Sequence, residues 1–400
     1  MKMKLNIRLF AVLLIIVVLG FKIQLSSAAQ TFDDRDQKLK FFVANIVEND
    51  PEINSCVLSV MKGDSSYYWS GASGIASQNG QVPMTKDTPV YIASITKLYT
   101  ATVIMKLFED KIISLDDPIS KYLPEDLIQG IHVYQGKDYS NEITIQELLS
   151  QTSGIADYYS EKSKDGKSIF ELFLEQPERS WTVDETIDRA RNDLDPNFPP
   201  GTDASYSDTN FQLLGKIIES VTSKPLHIVY QDFIFRPLGL KHTWLDGHSG
   251  SKLNPSDVPA DVYYHDRNIT NIRSNGSYWA DGGIISTAEE EIIFLKALNE
   301  GQIINKSTLN LMHNWHNLDP PFQYGYGTMY FEPASLWGHS GSTGSFLYYS
   351  EGLNLYMAGT INQTESNETP FRLMMMVMQT IQLNTHGKSD LTNENDERNK

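Results

Sequence analysis

The sequence predicts a mixed α/β (α+β) fold, an antiparallel sheet flanked by helices with an inserted all-helical region. Three observations predict it. Alternating apolar and polar residues mark strands near both ends of the chain, over 56–62 and 66–71 and again beyond residue 324. Between them, from about 116 to 279, helix-like blocks joined by Pro/Gly/Asp loops take over. A β-rich lead-in, Val90-Tyr91-Ile92-Ala93, turns directly into a helical pattern at Ser94. The α/β region is therefore expected over 30–115 plus 280–383, and the mainly helical region over 116–279.

The elements follow in order. Lys2, Lys4 and Arg8 precede an apolar run from Leu9 to Phe21 and then Ser26-Ser27-Ala28-Ala29. This reads as a signal peptide over 1–29, an uncleaved anchor being the alternative, since the run is short of the ~20 residues of a membrane span. A helical lead covers 37–48, and Gly63-Asp64-Ser65 is the turn between the first two strands. The Ser94 helix ends near Asp110. Helical blocks fall at 144–151, 168–174, 184–191, 210–221 and 226–235. A helix over 288–300 leads to strands at 324–331, 336–338, 345–350 and 353–360, then a last helix at 370–382. The tail, 384–400, is polar without an apolar face and is expected to be disordered.

Composition narrows the function. With 40% hydrophobic and 21% charged residues the chain is an ordinary globular one, long enough for a large core. Its formal net charge is −17, and removing the four basic residues of 1–29 lowers it to −21. Such a surface argues against nucleic acid or an anionic membrane as partner. The single cysteine, Cys56, lies in an apolar strand and reads as a buried, inert thiol. No clustered Cys/His pattern and no H-E-x-x-H occurs, so neither metal nor cofactor is expected. Lipase-type G-x-S-x-G is absent. His242, His265, His313 and His316 read as surface or packing histidines, and Trp279, Trp315 and Trp337 as core aromatics before groove aromatics.

The most informative stretch is Ser94-Ile95-Thr96-Lys97. Three apart on one helix face, Ser94 and Lys97 bring a hydroxyl nucleophile and an amine base together at the positive end of a helix dipole. Two decoys share the spacing. Ser59 and Lys62 lie in a strand, where they point to opposite faces, and Ser249 and Lys252 lie in a loop without helical period. Ile95, Leu98, Met105 and Phe108 give only the Ser94 stretch an apolar helical stripe.

A serine–lysine pair needs a proton shuttle and oxyanion donors. Tyr206-Ser207-Asp208, delivered by the Pro199-Pro200-Gly201 turn ahead of a long helix, offers a phenol; Tyr139-Ser140-Asn141 is the weaker rival. His339-Ser340-Gly341-Ser342 follows one strand-like segment and precedes another, whereas His248-Ser249-Gly250 has none to hold it. Gly341 lets a substrate approach the backbone, and the amides of Ser342 and Ser94 can form an oxyanion hole.

With these residues in order, the chain resembles the serine β-lactamase and penicillin-recognising family, in the branch of class C β-lactamases, D-alanyl-D-alanine carboxypeptidases and related esterases. S-x-x-K stands at Ser94 to Lys97, Y-x-N at Tyr206 to Asp208, and H-x-G at His339 to Gly341. Leu148-Leu149-Ser150-Gln151-Thr152-Ser153-Gly154, Phe235-Arg236-Pro237-Leu238-Gly239-Leu240 and Gly282-Gly283-Ile284-Ile285-Ser286-Thr287 support it, and the likeness spans about 38–383. The resemblance implies a β-lactamase/transpeptidase-like fold and an acyl-enzyme on Ser94. Lys97 would be general base and Tyr206 the proton relay. The Ser94 and Ser342 amides would hold the oxyanion, and His339 and Ser340 would orient substrate. Two departures stand out: Asp208 replaces the usual Asn, and His339 the usual lysine. An ionised Asp208 would hold Lys97 as an ammonium. No arginine occurs between Arg273 and Arg372 to clamp a substrate carboxylate. The expectation is an exported, periplasmic or extracellular, monomeric serine hydrolase of a D-amino-acid amide or an ester, in small-molecule or peptide form. D-alanyl-D-alanine carboxypeptidase activity comes first, esterase second and β-lactamase third. A non-catalytic penicillin-binding sensor or scaffold is the alternative of another class.

Overall fold

The computed structural model describes residues 35–248, 252–318, 320–364, 366 and 368–396, by backbone alone at 274–275 and 384–396. The expected signal segment and part of the loop decoys lie outside the described residues. Helix α1 (Arg35–Asn49) buries Leu39, Phe42, Val43 and Ile46, the one-sided spacing of a helix on a core. Strands β1 (Ser55–Lys62), β2 (Tyr68–Ser77) and β3 (Val82–Pro83) follow. A 3₁₀ turn, Ala93–Ile95, opens helix α2 (Thr96–Glu109), and α3 (Asp208–Thr222) and α4 (Ala288–Asn299) come next. The chain then adds β4 (His316–Asn317), β5 (Phe322–Tyr324), β6 (Met329–Phe331), β7 (Leu336–Gly341), β8 (Ser345–Ser350), β9 (Leu355–Thr360) and helix α5 (Glu368–Asp396).

These strands form one nine-stranded sheet in the order β4-β5-β6-β7-β8-β9-β1-β2-β3, so the two ends of the chain meet where β9 pairs β1. Its pairs are antiparallel, with registers such as Val57↔Thr360 and His339↔Leu347. Alternation decides which face each residue serves. Cys56, Leu58, Val60, Phe346, Tyr348 and Met357 pack with α1 and α5, whereas Val57, Leu347, Tyr356 and Ala358 join the core shared with α2, α3 and α4. Burial pushes the Cys56 thiol up to about 12, in keeping with an inert group. A smaller sheet of Val90–Tyr91, Ile284–Ser286 and Trp244–Leu245 ties the entry of α2 to the Gly282-Gly283 segment.

The inserted segment is mainly helical. The helices Ile145–Leu149, Ile169–Glu175 and Val183–Asp193 each start with a capping box, Thr144/Glu147, Ser168/Glu171 and Thr182/Glu185. The helix expected over 226–235 changes pitch, α-helical over Leu226–Tyr230 and π-helical over Gln231–Phe235. Among the described residues no helix is long and apolar enough to cross a membrane.

Two expectations about strands need correction. The strand expected over 324–331 is two strands, because Gly325 and Gly327 make a turn closed by Gly325 N–H donating to Thr328 O at 2.8 Å. The strand expected to stop at 338 runs on to Gly341, since its ladder to β8 continues through Gly341↔Ser345. The backbone of α5 is helical on to Asp396.

The β5–β6 turn presses on α2. Gly327 has φ +68°, and a Cβ there would lie 2.3 Å from Ala101 Cβ and 2.9 Å from Lys97 O. Gly327→Ala is expected to cost about 2–4 kcal/mol, overpacking plus left-handed strain. A denaturant melt showing a loss below about 0.5 kcal/mol, the range of ordinary surface substitutions, would contradict this close approach.

Candidate active site

Ser94 stands at the junction of the strand Val90–Tyr91 and α2, partly exposed to a cavity. The preceding Ala93 has φ +47°, the left-handed region that costs a non-glycine residue about 1–3 kcal/mol. The β7–β8 hairpin holds this turn in place. Thr343 Oγ1 donates to Tyr91 O at 2.7 Å, and Ser345 Oγ to Ile92 O at 2.8 Å. Gly341 is required by closeness, since a Cβ there would meet Ile92 O at 2.3 Å.

Lys97 lies on the first turn of α2 and is wholly buried. Its Nζ donates to Ser94 Oγ at 3.1 Å, to Asp281 O at 2.7 Å and, in a short ion pair, to Asp208 Oδ1. Burial disfavours the ammonium, but the Asp208 carboxylate and then Asp281 outweigh it, so Lys97 is held above its usual range. Nζ also lies 5.0 Å from the centre of the Tyr206 ring. The Tyr206 phenol is pushed well above its ordinary value, by burial first and the Asp208 charge second; a hydrogen bond with Ser94 pulls the other way. In the resting site both proton carriers beside Ser94 are therefore protonated at neutral pH.

The Leu148-to-Gly154 motif builds the Tyr206 loop. Gln151 O accepts from Ser205 N–H at 2.9 Å, and Gln151 Oε1 from Ser207 N–H at 3.0 Å and Asn210 Nδ2 at 2.6 Å. Ser153 Oγ donates to Asn210 Oδ1 at 2.6 Å. The loop is thus clamped at both ends of Tyr206, and α3 begins at Asp208.

The sequence-predicted residues divide into two groups. Ser94, Tyr206, Asp208 and Ser342 line one cavity of about 220 Å³, with Lys97 directly behind Ser94. His339, Ser340 and Gly341 do not line it. His339 is buried, with Nε2 3.1 Å from Tyr324 Oη and Nδ1 2.7 Å from Ser340 O, and its ring lies behind Tyr206 at 6.3 Å. Burial, then the nearby Lys97 charge, push its imidazole down to about 3, so it is neutral. Ser340 points to the other face of β7, where Oγ pairs with Tyr348 Oη at 2.7 Å. Neighbouring strand residues face opposite ways, which sends the His339 and Ser340 side chains apart. The rival Tyr139 sits elsewhere, edge-on to His132 at 5.6 Å. Ser59 and Lys62 are in β1, Ser59 Oγ paired with Ser70 Oγ at 2.8 Å.

Three residues that sequence reasoning missed complete the site. Asp281 Oδ2 accepts from Tyr158 Oη at 2.6 Å and Oδ1 from Trp279 N–H at 3.0 Å. Burial, then the Asp208 charge, push its carboxyl up to about 6. Asp157 accepts from the N–H groups of Asp208 at 3.0 Å, Tyr159 at 3.2 Å and Ser160 at 3.0 Å, and from Ser160 Oγ. Burial and then Asp208 push it up to about 7. Tyr324 packs edge-on against Tyr206 at 5.8 Å. The signals were adjacency: Asp281 precedes Gly282-Gly283, and Asp157 follows Ser153-Gly154, both in motifs singled out already. Among the described residues no group of three or more His, Cys, Asp or Glu side chains could hold a metal ion.

Such a fold and site define the penicillin-recognising serine hydrolases. The Beta-lactamase family profile matches residues 43–374, and the chain belongs to that family. It is 25% identical over 304 residues to penicillin-binding protein 4 of Amycolatopsis lactamdurans, covering 70% of this chain and 72% of that one. It is 27% identical over 211 residues to the D-alanyl-D-alanine-carboxypeptidase/endopeptidase AmpH of Escherichia coli (strain K12), covering 48% of this chain and 50% of that one. Among solved structures, a D-stereospecific amidohydrolase from Streptomyces sp. superposes with a TM-score of 0.69 at 27% identity, over 84% of this chain and 97% of that one.

Asp157 gives a pH test. Its raised pKa means the folded state holds a proton that the unfolded chain releases near 3.8, so its share of stability is full below that value and is lost as pH rises through about 7. Asp157→Asn removes the titration. Whatever its baseline, the melting temperature of the variant relative to wild type is expected to rise between pH 4 and pH 8. A constant difference across that range would refute the assignment.

Proposed function

We propose that this chain is an exported, monomeric serine hydrolase that forms an acyl-enzyme on Ser94. Its substrates are amides whose carbonyl belongs to a D-amino acid, D-alanyl-D-alanine carboxypeptidase-type cleavage among them. The observation that carries this reading is the 3.1 Å contact of Lys97 Nζ with Ser94 Oγ beside a cavity that Tyr206 and Ser342 also line. The D-stereospecific amidohydrolase and the carboxypeptidase among its relatives support the choice of bond.

The proton economy shapes the mechanism. Lys97 must first become an amine by releasing a proton to solvent, a loss that the Asp208 carboxylate in direct contact with it opposes. Lys97 then takes the Ser94 proton as Oγ adds to the carbonyl carbon, and the amides of Ser94 and Ser342 receive the oxyanion. On collapse the C–N bond breaks and Tyr206 relays a proton to the departing amine. Water, activated by the same pair, adds to the acyl ester, and the acid leaves with Ser94 restored.

Fluorophosphonate and fluorescent penicillin probes test the nucleophile. Wild type is expected to label and Ser94→Ala to stay unlabelled; failure of both probes on wild type would point instead to a non-catalytic sensor or scaffold that keeps the fold. A second expectation concerns Asp208. Asn in its place removes the charge that holds Lys97 protonated, so the fluorophosphonate acylation rate at pH 7 should rise and its pH profile should shift to lower pH. A loss beyond about tenfold, ~1.4 kcal/mol, would assign the carboxylate an indispensable part as proton acceptor.

A further inference from the structure

We propose that the cavity beside Ser94 selects acyl donors with a free ammonium next to the scissile carbonyl and a large apolar side chain. The enzyme would then cut amides of unblocked hydrophobic amino acids in preference to bonds whose leaving group ends in a carboxylate. The proposal rests on the acyl-enzyme reading above and narrows its substrate class.

Charge is the first argument. Among the described residues lining the cavity, the charged side chains are Asp157, Asp208 and Asp281, and none is basic. Lys97 is fully buried behind them, its charge met by Asp208 Oδ1. A substrate carboxylate entering here finds no guanidinium or free ammonium to receive it, whereas an ammonium finds carboxyl oxygens that can accept from it.

Donor and acceptor roles give the second argument. Asp208 is nine-tenths buried, lines the cavity, and spends one oxygen on Lys97, which leaves the other for what enters. An asparagine here could donate to the carbonyl of an N-acyl group. An ionised aspartate only accepts, so it needs a donor such as an α-ammonium. The reach is right: an α-ammonium is separated from the attacked carbon by a single atom, and Lys97 Nζ already bridges Asp208 to Ser94 Oγ at 3.1 Å from the latter. Asp157, with its oxygens occupied by four donors, is not free for that contact.

Shape is the third. Phe170, Phe173, Ile272 and Tyr278 form an apolar wall of a space of about 220 Å³. A cavity of about 150 Å³ already accommodates benzene, so a phenyl or branched aliphatic side chain fits.

The test compares kcat/KM for D-phenylalanine p-nitroanilide, its N-acetyl derivative, and D-alanyl-D-alanine dipeptide, on purified wild type and Asp208→Asn, with fluorophosphonate labelling of Ser94 in the same samples. Wild type is expected to prefer the free amine over the N-acetyl compound by about thirtyfold or more, the range of a charge-assisted hydrogen bond. It should disfavour the dipeptide, and the amine preference should fall at least tenfold in Asp208→Asn. A labelled wild-type enzyme that treats the two anilides alike, prefers the blocked one or the dipeptide, or hydrolyses none of them overturns this proposal and leaves the nucleophile standing. An enzyme that neither labels nor turns over overturns both.

Discussion

An ammonium with no exposed surface must be neutralised where it lies, and the buried charge of Lys97 organises this molecule. A buried lysine without a partner would give up its proton or unfold its surroundings. Here the partners come from distant chain segments: Asp208 at the start of α3, and the Asp281 carbonyl just ahead of the Gly282-Gly283 segment. One side chain on α2 therefore pins two other parts of the fold to the nucleophile. Thr100 and Thr96 repeat the arrangement on the same helix: Thr100 Oγ1 donates to Ala280 O, and Ile284 N–H to Thr96 Oγ1 at 3.0 Å. Ser94 stays in register with Lys97 because both belong to one rigid turn, whereas Tyr206 and Asp208 are delivered by a clamped loop.

The sheet supplies the second constraint. The β7–β8 hairpin grips the carbonyls of Tyr91 and Ile92, so the unfavourable backbone of Ala93 is imposed by tertiary contacts and not by local preference. That grip needs the absence of a side chain at Gly341 and the hydroxyls of Thr343 and Ser345. His339 serves the same end from within. Neutral and buried, it fixes Tyr324, and Tyr324 forms the wall against which Tyr206 packs.

How much of this was legible follows from the range of each signal. Ser94 and Lys97 could be read because their relation is local, one helical turn, and the apolar stripe of α2 set them apart from Ser59 and Lys62 in β1. The strands of the sheet were legible as apolar runs bounded by turn residues, most clearly in β1, β8 and β9, where both faces are buried against different helices. The β5–β6 turn was not, since Tyr-Gly-Tyr-Gly preserves alternation while Gly327 reverses the chain. The divergence of His339 and Ser340 was hidden for a related reason: with the strand ended at 338, nothing required them to face apart. Asp157 and Asp281 were out of reach because no periodicity marks a carboxylate that matters through a contact 51 residues away for Asp157 and 123 for Asp281. Only their places beside recognised motifs hinted at it.

The missed carboxylates change the chemistry more than the missed strands change the fold. With Asn at 208, Lys97 would lose its closest counter-charge and could give up its proton more cheaply. With Asp there, the closest counter-charge keeps the ammonium, and that same charge pushes Asp157 and Asp281 up toward neutrality. The four groups thus share fewer charges than their formal count suggests, and a proton moved among them costs less than one taken from water-like surroundings. An incoming cation would shift that balance by stabilising the ionised carboxylates, whereas an incoming anion would oppose it. Substrate charge and base strength are therefore coupled in this site, through a single residue that both holds the base and lines the cavity.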